Sequence, residues 1–116
     1  MIKKSMFKKG LFLVVAFLSI SAFACPDATS TDDVNFCASF KTATICYCSE
    51  ALPGCGRLSM NQIYSLLLTR YRTLEAACRS QSHTDAQTCI DDWNCYRLGG
   101  MDSHGRACNS TQLACQ

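Results

Sequence analysis

The chain contains no C-x-x-C, only two histidines, and a single lysine, Lys41, once its first 24 residues are set aside. Each shortage removes a class of function. Without C-x-x-C there is no thioredoxin-type redox pair. With His83 and His104 as the sole imidazoles, nucleophile–base chemistry has little to draw on. No basic stripe survives beyond the leader, so nucleic acid and anionic membrane are poor partners. Strand signals, internal repeats and low-complexity segments are also missing. The longest uncharged apolar run, Leu11 to Phe23, is shorter than the ~20 residues that a membrane-spanning helix needs.

What is present begins with that run. Lys3, Lys4, Lys8 and Lys9 precede it, and Ala22-Phe23-Ala24 offers small residues at the two positions that a signal peptidase reads. The sequence thus predicts a cleavable Sec-type leader over 1–24 and one domain over 25–116, with no transmembrane span in the mature chain. Removing the leader leaves seven basic against nine acidic groups, so a precursor charge of +2 becomes −2. A mature chain of about 92 residues buries roughly 60–65% of its unfolded surface, and crosslinks are the expected supplement.

Those crosslinks are supplied in number. Cys25, Cys37, Cys46, Cys48, Cys55, Cys78, Cys89, Cys95, Cys108 and Cys115 all lie beyond the leader, an even count that suits five disulfides in an exported protein. Ten thiols allow roughly 945 pairings, so spacing does not fix connectivity. Cys46-Tyr47-Cys48 would strain a direct bridge, and its sulfurs are expected to reach different neighbours. Cys25 would be the first mature residue, where acylation is the alternative. Phe23 makes a poor lipobox, and acylation would leave nine thiols, an odd number.

Periodicity points to an all-α, disulfide-stapled fold of about three helices with a hairpin and an irregular C-terminal tail. Thr31 or Asp32 caps a first helix running to about Tyr47, with Val34, Cys37, Phe40 or Lys41, Thr44 and Cys48 on one face. Ser49 to Arg57, containing Pro53-Gly54, reads as a loop. Ser59 with Gln62 forms a capping box for a second helix, whose seam is Met60, Tyr64, Leu67, Tyr71, Leu74 and Cys78. Thr84 with Gln87 opens a third, ending before Gly99-Gly100. The short break near Ser80 to His83 makes these two helices antiparallel neighbours. Cys78 and Cys89 are equidistant from that turn, and they are the one specific pair that the pattern predicts. The polar tail from Met101 is expected to be tied down by Cys108 and Cys115.

Candidate sites are few. Asp102, Ser103 and His104 imitate an acid–nucleophile–base set, but adjacent loop residues diverge, and a polar turn is the simpler reading. Asp91-Asp92 neighbours point ~100° apart on a helix and read as a solvated face. His104 and Cys108, with Cys89 and Cys95, could supply zinc, yet the close ligand pairs of a structural site are missing. Asn109-Ser110-Thr111 matches a glycosylation sequon, relevant only in a eukaryote. No catalytic residue, metal or cofactor is expected. Tyr64, Tyr71, Trp93 and Tyr96 exceed what so small a core can easily enclose, and they form a candidate protein interface. Trp93 with Tyr96 is most simply core, and one exposed aromatic could anchor a partner. A chain this small is also expected to offer little in the way of a pocket.

The leader MIKKSMFKKGLFLVVAFLSISAFA looks like a Gram-negative Sec signal. With its size and its cysteine-rich helices, the chain resembles the small accessory subunits of type IVB (Dot/Icm) secretion-system outer-membrane complexes. That resemblance implies a structural subunit in the periplasm or at the outer membrane, held there through protein partners. The C-x-C also gives a likeness to plant lipid-transfer and seed-albumin scaffolds. Their adjacent Cys-Cys pair is missing, so their lipid cavity is not carried over. Secreted phospholipases A2 share the helical, disulfide-rich style but not the His-Asp motif. The expected function is therefore an exported, non-catalytic structural or binding protein. A secreted effector, toxin or inhibitor presenting Ser49 to Arg57 is the first alternative, and a small hydrolase using His104 is the last.

Overall fold

A computed structural model describes residues 25–115, so the leader expected over 1–24 lies outside the described residues. Four α-helices follow one another: α1, Phe36–Ala51; α2, Met60–Tyr71; α3, Leu74–Arg79; and α4, Ala86–Leu98. A 3-10 turn, Cys55–Arg57, joins α1 to α2. Among the described residues the only β feature is one isolated antiparallel bridge, Met101 with Ala107. The domain is small, all-α and rich in disulfides. No helix among the described residues is long and apolar enough to cross a membrane.

The first helix begins four or five residues later than its expected caps. Ser30, Asp32 and Asp33 satisfy local backbone and side-chain groups in successive turns instead, with Asp33 accepting from the Asn35 N–H at 2.7 Å. Short polar side chains compete with the helix in this way. The core face consequently rotates to Phe36, Phe40 and Ala43, and Val34 is left exposed ahead of the helix. With no breaker before Pro53, α1 continues past Tyr47 to Ala51.

The expected second helix is two helices. The capping box at its start is present: Ser59 accepts from the Gln62 N–H at 3.1 Å, and Gln62 accepts from the Ser59 N–H at 2.8 Å. At Arg72 the backbone turns left-handed, with φ +74°, and Thr73 caps α3 by accepting from the Ala76 N–H at 3.0 Å. A positive φ at a residue with a side chain costs ~1–3 kcal/mol and persists only where the surroundings impose it. The last helix starts from Asp85 rather than Thr84. Asp85 accepts from both the N–H and the hydroxyl of Thr88, at 2.8 and 3.0 Å.

Five disulfides hold these pieces: Cys25–Cys46, Cys37–Cys115, Cys48–Cys55, Cys78–Cys89 and Cys95–Cys108. The Cys78–Cys89 pair, expected from the hairpin, closes α3 onto α4 with Cα atoms 5.6 Å apart. Cys46 and Cys48 leave α1 in different directions, one to the N-terminal segment and the other to the 3-10 turn. The sulfur of Cys25 is engaged with Cys46, which opposes its acylation. Such a density of crosslinks belongs to an oxidising compartment, outside the reducing cytosol.

Aromatic rings fill the centre. Phe40 of α1 meets Trp93 of α4 edge-on at 5.0 Å, stacks on Phe36 at 5.6 Å and touches Tyr96 at 5.6 Å. Tyr64 of α2 reaches Trp93 at 5.2 Å. Pairs of this kind add ~0.5–1.5 kcal/mol each beyond area burial. After Gly99 the tail folds back: the Gly100 N–H donates to the Gln112 carbonyl and the Cys115 N–H to that of Tyr96. Gly99 is required there. Its φ is +76°, and a Cβ would sit 2.7 Å from the backbone of Leu113 and Ala114.

Candidate functional site

The short helix α3, rather than α2, packs closely along α4, and α2 meets α1 only sparsely. Space is left between α1, α2 and α4. It forms a cavity of about 530 Å³, within the range of small-molecule sites. This corrects the expectation that so small a domain would lack a pocket. Its walls come from helical repeats: Phe40, Ala43, Thr44, Tyr47, Cys48 and Ala51 of α1 recur at three- and four-residue steps, and Ile63, Leu66, Leu67, Arg70 and Tyr71 do so on α2. Leu66, Leu67 and Tyr71 are only half-buried because they face this space.

Tyr47 and His83 stand at one side of the cavity, their rings stacked with centroids 3.5 Å apart. The stack joins α1 to the α3–α4 connection. Partial burial lowers the His83 pKa below its usual value, although Asp27 and Glu50 pull the other way. The ring is therefore neutral at physiological pH. Burial likewise raises the Tyr47 phenol, with help from the charges of Asp27 and Glu50.

The cavity's most unusual wall is Asp92. It is 8% exposed and lines the cavity beside Thr88, Cys89 and Trp93. No hydrogen bond or ion pair reaches its carboxylate among the described residues. Burial pushes its pKa up to about 7, the neighbouring Asp91 adds to the rise, and Arg106 opposes it. A carboxyl in this state lacks the partners that buried charges normally have. The expectation of a solvated Asp91-Asp92 face is thus corrected, since both residues are buried. They are buried because α4 is covered on two sides, by the cavity helices and by the returning tail.

On the tail side, Asp91 accepts from Gln87 Nε2 at 3.1 Å, from the Ser103 N–H at 3.2 Å and from the Ser103 hydroxyl at 2.7 Å. His104 Nδ1 lies 3.5 Å from both Asp91 Oδ2 and Ser103 Oγ. The Ser103 proton is directed at the carboxylate and not at the imidazole. That geometry is a braced turn, not a nucleophile activated by a base. Asp102 is more heavily committed. Its Oδ1 accepts from the N–H groups of His104 and Arg106, each at 2.9 Å, and its Oδ2 from Thr31 Oγ1 at 2.8 Å and Arg106 Nε at 3.0 Å. Burial alone would raise the Asp102 pKa, but these donors outweigh it and hold it at about 2. Ligand atoms of Asp91, Asp102 and His104 come within 4.8 Å of one another. Protein donors already occupy both carboxylates, so the cluster acts as a clasp between α4, the tail and Thr31.

The four aromatic interface candidates part company. Trp93 and Tyr96 are 3% and 6% exposed and belong to the core, because Phe40 and Tyr64 enclose them. Tyr64 is half-buried beneath the Arg97 guanidinium, 3.9 Å from its ring centroid. Tyr71 lines the cavity. Cys89, Cys95 and Cys108 are committed to disulfides and unavailable as zinc ligands. Asn109 is buried, its amide donating to the Leu113 carbonyl and its oxygen accepting from Thr111 and Gln112, so the sequon does not present a free side chain. The cavity itself escaped sequence reasoning. Its one available signal was Thr73 followed by Glu75, a helix start that divides the long second helix. No family model, curated protein or solved structure matches this chain.

Proposed function

We propose that this chain is an exported, non-catalytic binding protein, and that the cavity between α1, α2 and α4 is where it binds a small, largely apolar ligand. The observation that carries this reading is the 530 Å³ space itself, walled by Phe40, Leu66, Leu67 and Trp93 in a domain whose other aromatic contacts are tight. Its helix-facing walls are apolar, and Thr44, Gln81, Thr88 and Asp92 among others add polar groups, a mixture usual in ligand sites. The disulfides and the leader-like start together support export to the periplasm or beyond. Trp93 is the only tryptophan and lines the cavity, so its fluorescence reports occupancy directly. Octanol should change that emission saturably in the wild-type protein. Thr44→Phe, which fills the space from α1, should abolish the response while the helical circular-dichroism signal is retained. A response that survives the filled cavity rejects the reading, as does a wild type that answers to no small amphiphile, whether neutral, cationic or anionic.

A second reading follows from a different place. Leu98, Met101 and Leu113 are 63–68% exposed on adjoining segments where α4 ends and the tail returns. Exposed apolar side chains at one end of a domain favour a protein partner. They support membership in an envelope or secretion assembly of the type IVB kind, with outer-membrane association through partners. Affinity purification from native envelope tests this: co-purification with a large complex supports it, and release into the medium favours a secreted effector, toxin or inhibitor.

A further inference from the structure

The cavity has an apolar body and one unpartnered acid, and that combination selects among ligands. We propose that the site takes a small organic cation, an amine with an apolar tail or ring, whose ammonium group pairs with Asp92 while its body lies between α1 and α2. This inference rests on the cavity being a ligand site and adds the chemical class of the ligand.

Three observations carry it. Asp92 is more than nine-tenths buried, lines the cavity and has no hydrogen-bond or ion-pair partner among the described residues. Its neighbour on the same helix, Asp91, shows that this fold can satisfy a buried carboxylate fully when it is structural. The cavity's other fixed charges, Asp27 and Arg70, line it from exposed positions. A cation reaching Asp92 gains a charge-assisted hydrogen bond in a medium that screens it poorly. Phe40 and Trp93 line the same cavity, and aromatic rings are favourable neighbours for a cation. An anion would meet Asp92 as a repelling neighbour, and a neutral alcohol would gain one weaker hydrogen bond.

Binding should then be coupled to protons. Asp92 must be ionised to hold the cation, so affinity should fall as pH drops below about 7. The charged groups around it are Asp91 on α4, Asp85 at the α4 cap, and Arg106 and Asp102 in the tail. Across the cavity stand Asp27, Tyr47, His83, Arg70 and Tyr71. His83, with its lowered pKa, gains a competing positive charge only in more acidic solution.

The test uses octylammonium, octanol and octanoate in Trp93 fluorescence titrations of the oxidised protein at pH 8 and pH 5.5. Octylammonium should bind roughly tenfold to a hundredfold more tightly than octanol at pH 8, as a charge-assisted bond of ~1.5–3 kcal/mol implies. That preference should shrink at pH 5.5, and it should vanish in Asp92→Asn, which keeps the side-chain shape. Equal binding of octanol and octylammonium by the wild type overturns the inference but leaves the ligand cavity standing. Tightest binding of octanoate overturns it too, and assigns the headgroup to Arg70. A preference for the cation that persists in Asp92→Asn places the charge recognition elsewhere and refutes the role of Asp92. Failure of all three probes removes the cavity reading along with this one.

Discussion

Asp91 and Asp92 are neighbours in sequence with opposite surroundings. Asp91 accepts three hydrogen bonds, two of them from the tail; Asp92 lines the cavity and accepts none among the described residues. Both are buried, so burial is not what separates them. The ~100° step between adjacent helical positions sends one carboxylate into a polar clasp and the other into an apolar chamber. The tail side of the molecule is thus finished within the chain. The cavity side holds a charge-bearing group that the protein leaves unmatched, as sites shaped for a ligand tend to do.

The strongest way to break this comparison is to release the tail. Cys37–Cys115 joins residues 78 apart, the largest separation of the five bridges, and chain-entropy reasoning gives it ~4.5 kcal/mol. Replacing both cysteines by Ser should lower denaturation free energy by about that much. Amide exchange should rise most over 99–115 and least in the α3–α4 hairpin, which keeps Cys78–Cys89. Uniform loss of protection would show that the tail is not a separate layer. Asp91→Ala should cost ~1–2 kcal/mol by removing the hydrogen bonds that the exposed Gln87 and Ser103 donate to it. Asp91→Asn should instead lower the Asp92 pKa from about 7, because the Asp91 charge helps to raise it. Carbon-detected carboxyl titration would measure that shift, and an unchanged value would contradict the coupling.

Asp92→Asn should have the opposite sign on stability. The folded-state pKa lies above the ordinary carboxylate value, so the folded protein holds its proton more tightly than the unfolded chain does. Stability therefore falls as pH rises from about 4 to about 7, and the penalty is complete above that range. Asp102 works the other way. Its pKa of about 2 gives stability that is present above pH ~4 and lost as the solution is acidified toward pH 2. Thermal denaturation should accordingly show a maximum near pH 4–5. Asp92→Asn should flatten the decline above it and stabilise the protein at pH 8 by at most ~4 kcal/mol, given ~1.4 kcal/mol per pKa unit and a rise from 3.8 to about 7. A wild-type profile that stays flat from pH 4 to pH 8 would rule out an unpartnered Asp92.

The elements that local chemistry controls are legible in the sequence. Ser59 with Gln62, the Gly99 stop and the symmetry of Cys78 and Cys89 about the hairpin are short-range signals, readable without tertiary context. Features that long-range contacts decide are not. Asp91 and Asp92 look like a solvated face because nothing nearby reveals that the tail will return over α4 through Cys108 and Cys115. Trp93 and Tyr96 read both as core and as interface candidates, and what decides for core is Phe40 of α1, more than fifty positions earlier. Between α2 and α3 the chain reverses at Arg72, whose positive φ is marked in sequence only by the cap at Thr73. Four of the five disulfides were likewise unreadable, since pairing follows the completed fold.

The smallest expected effect belongs to His104, and it sharpens the contrast by showing what the clasp does not need. Its side chain is 61% exposed, and its Nδ1 is 3.5 Å from Asp91 Oδ2, a distance at which a solvent-screened pair contributes little. Asp91 retains Ser103 and Gln87 without it, and Asp102 bonds the His104 backbone N–H, which any residue provides. His104→Ala should therefore change denaturation free energy by less than ~0.5 kcal/mol, as surface substitutions usually do. It should leave the Trp93 response to octylammonium intact, because His104 does not line the cavity. In cells the variant should match the wild type in abundance and in whatever phenotype the deletion produces. Loss of that phenotype at normal abundance and normal ligand affinity would make His104 a working imidazole, and the Asp91–Ser103–His104 cluster would then have to be reconsidered as a catalytic site.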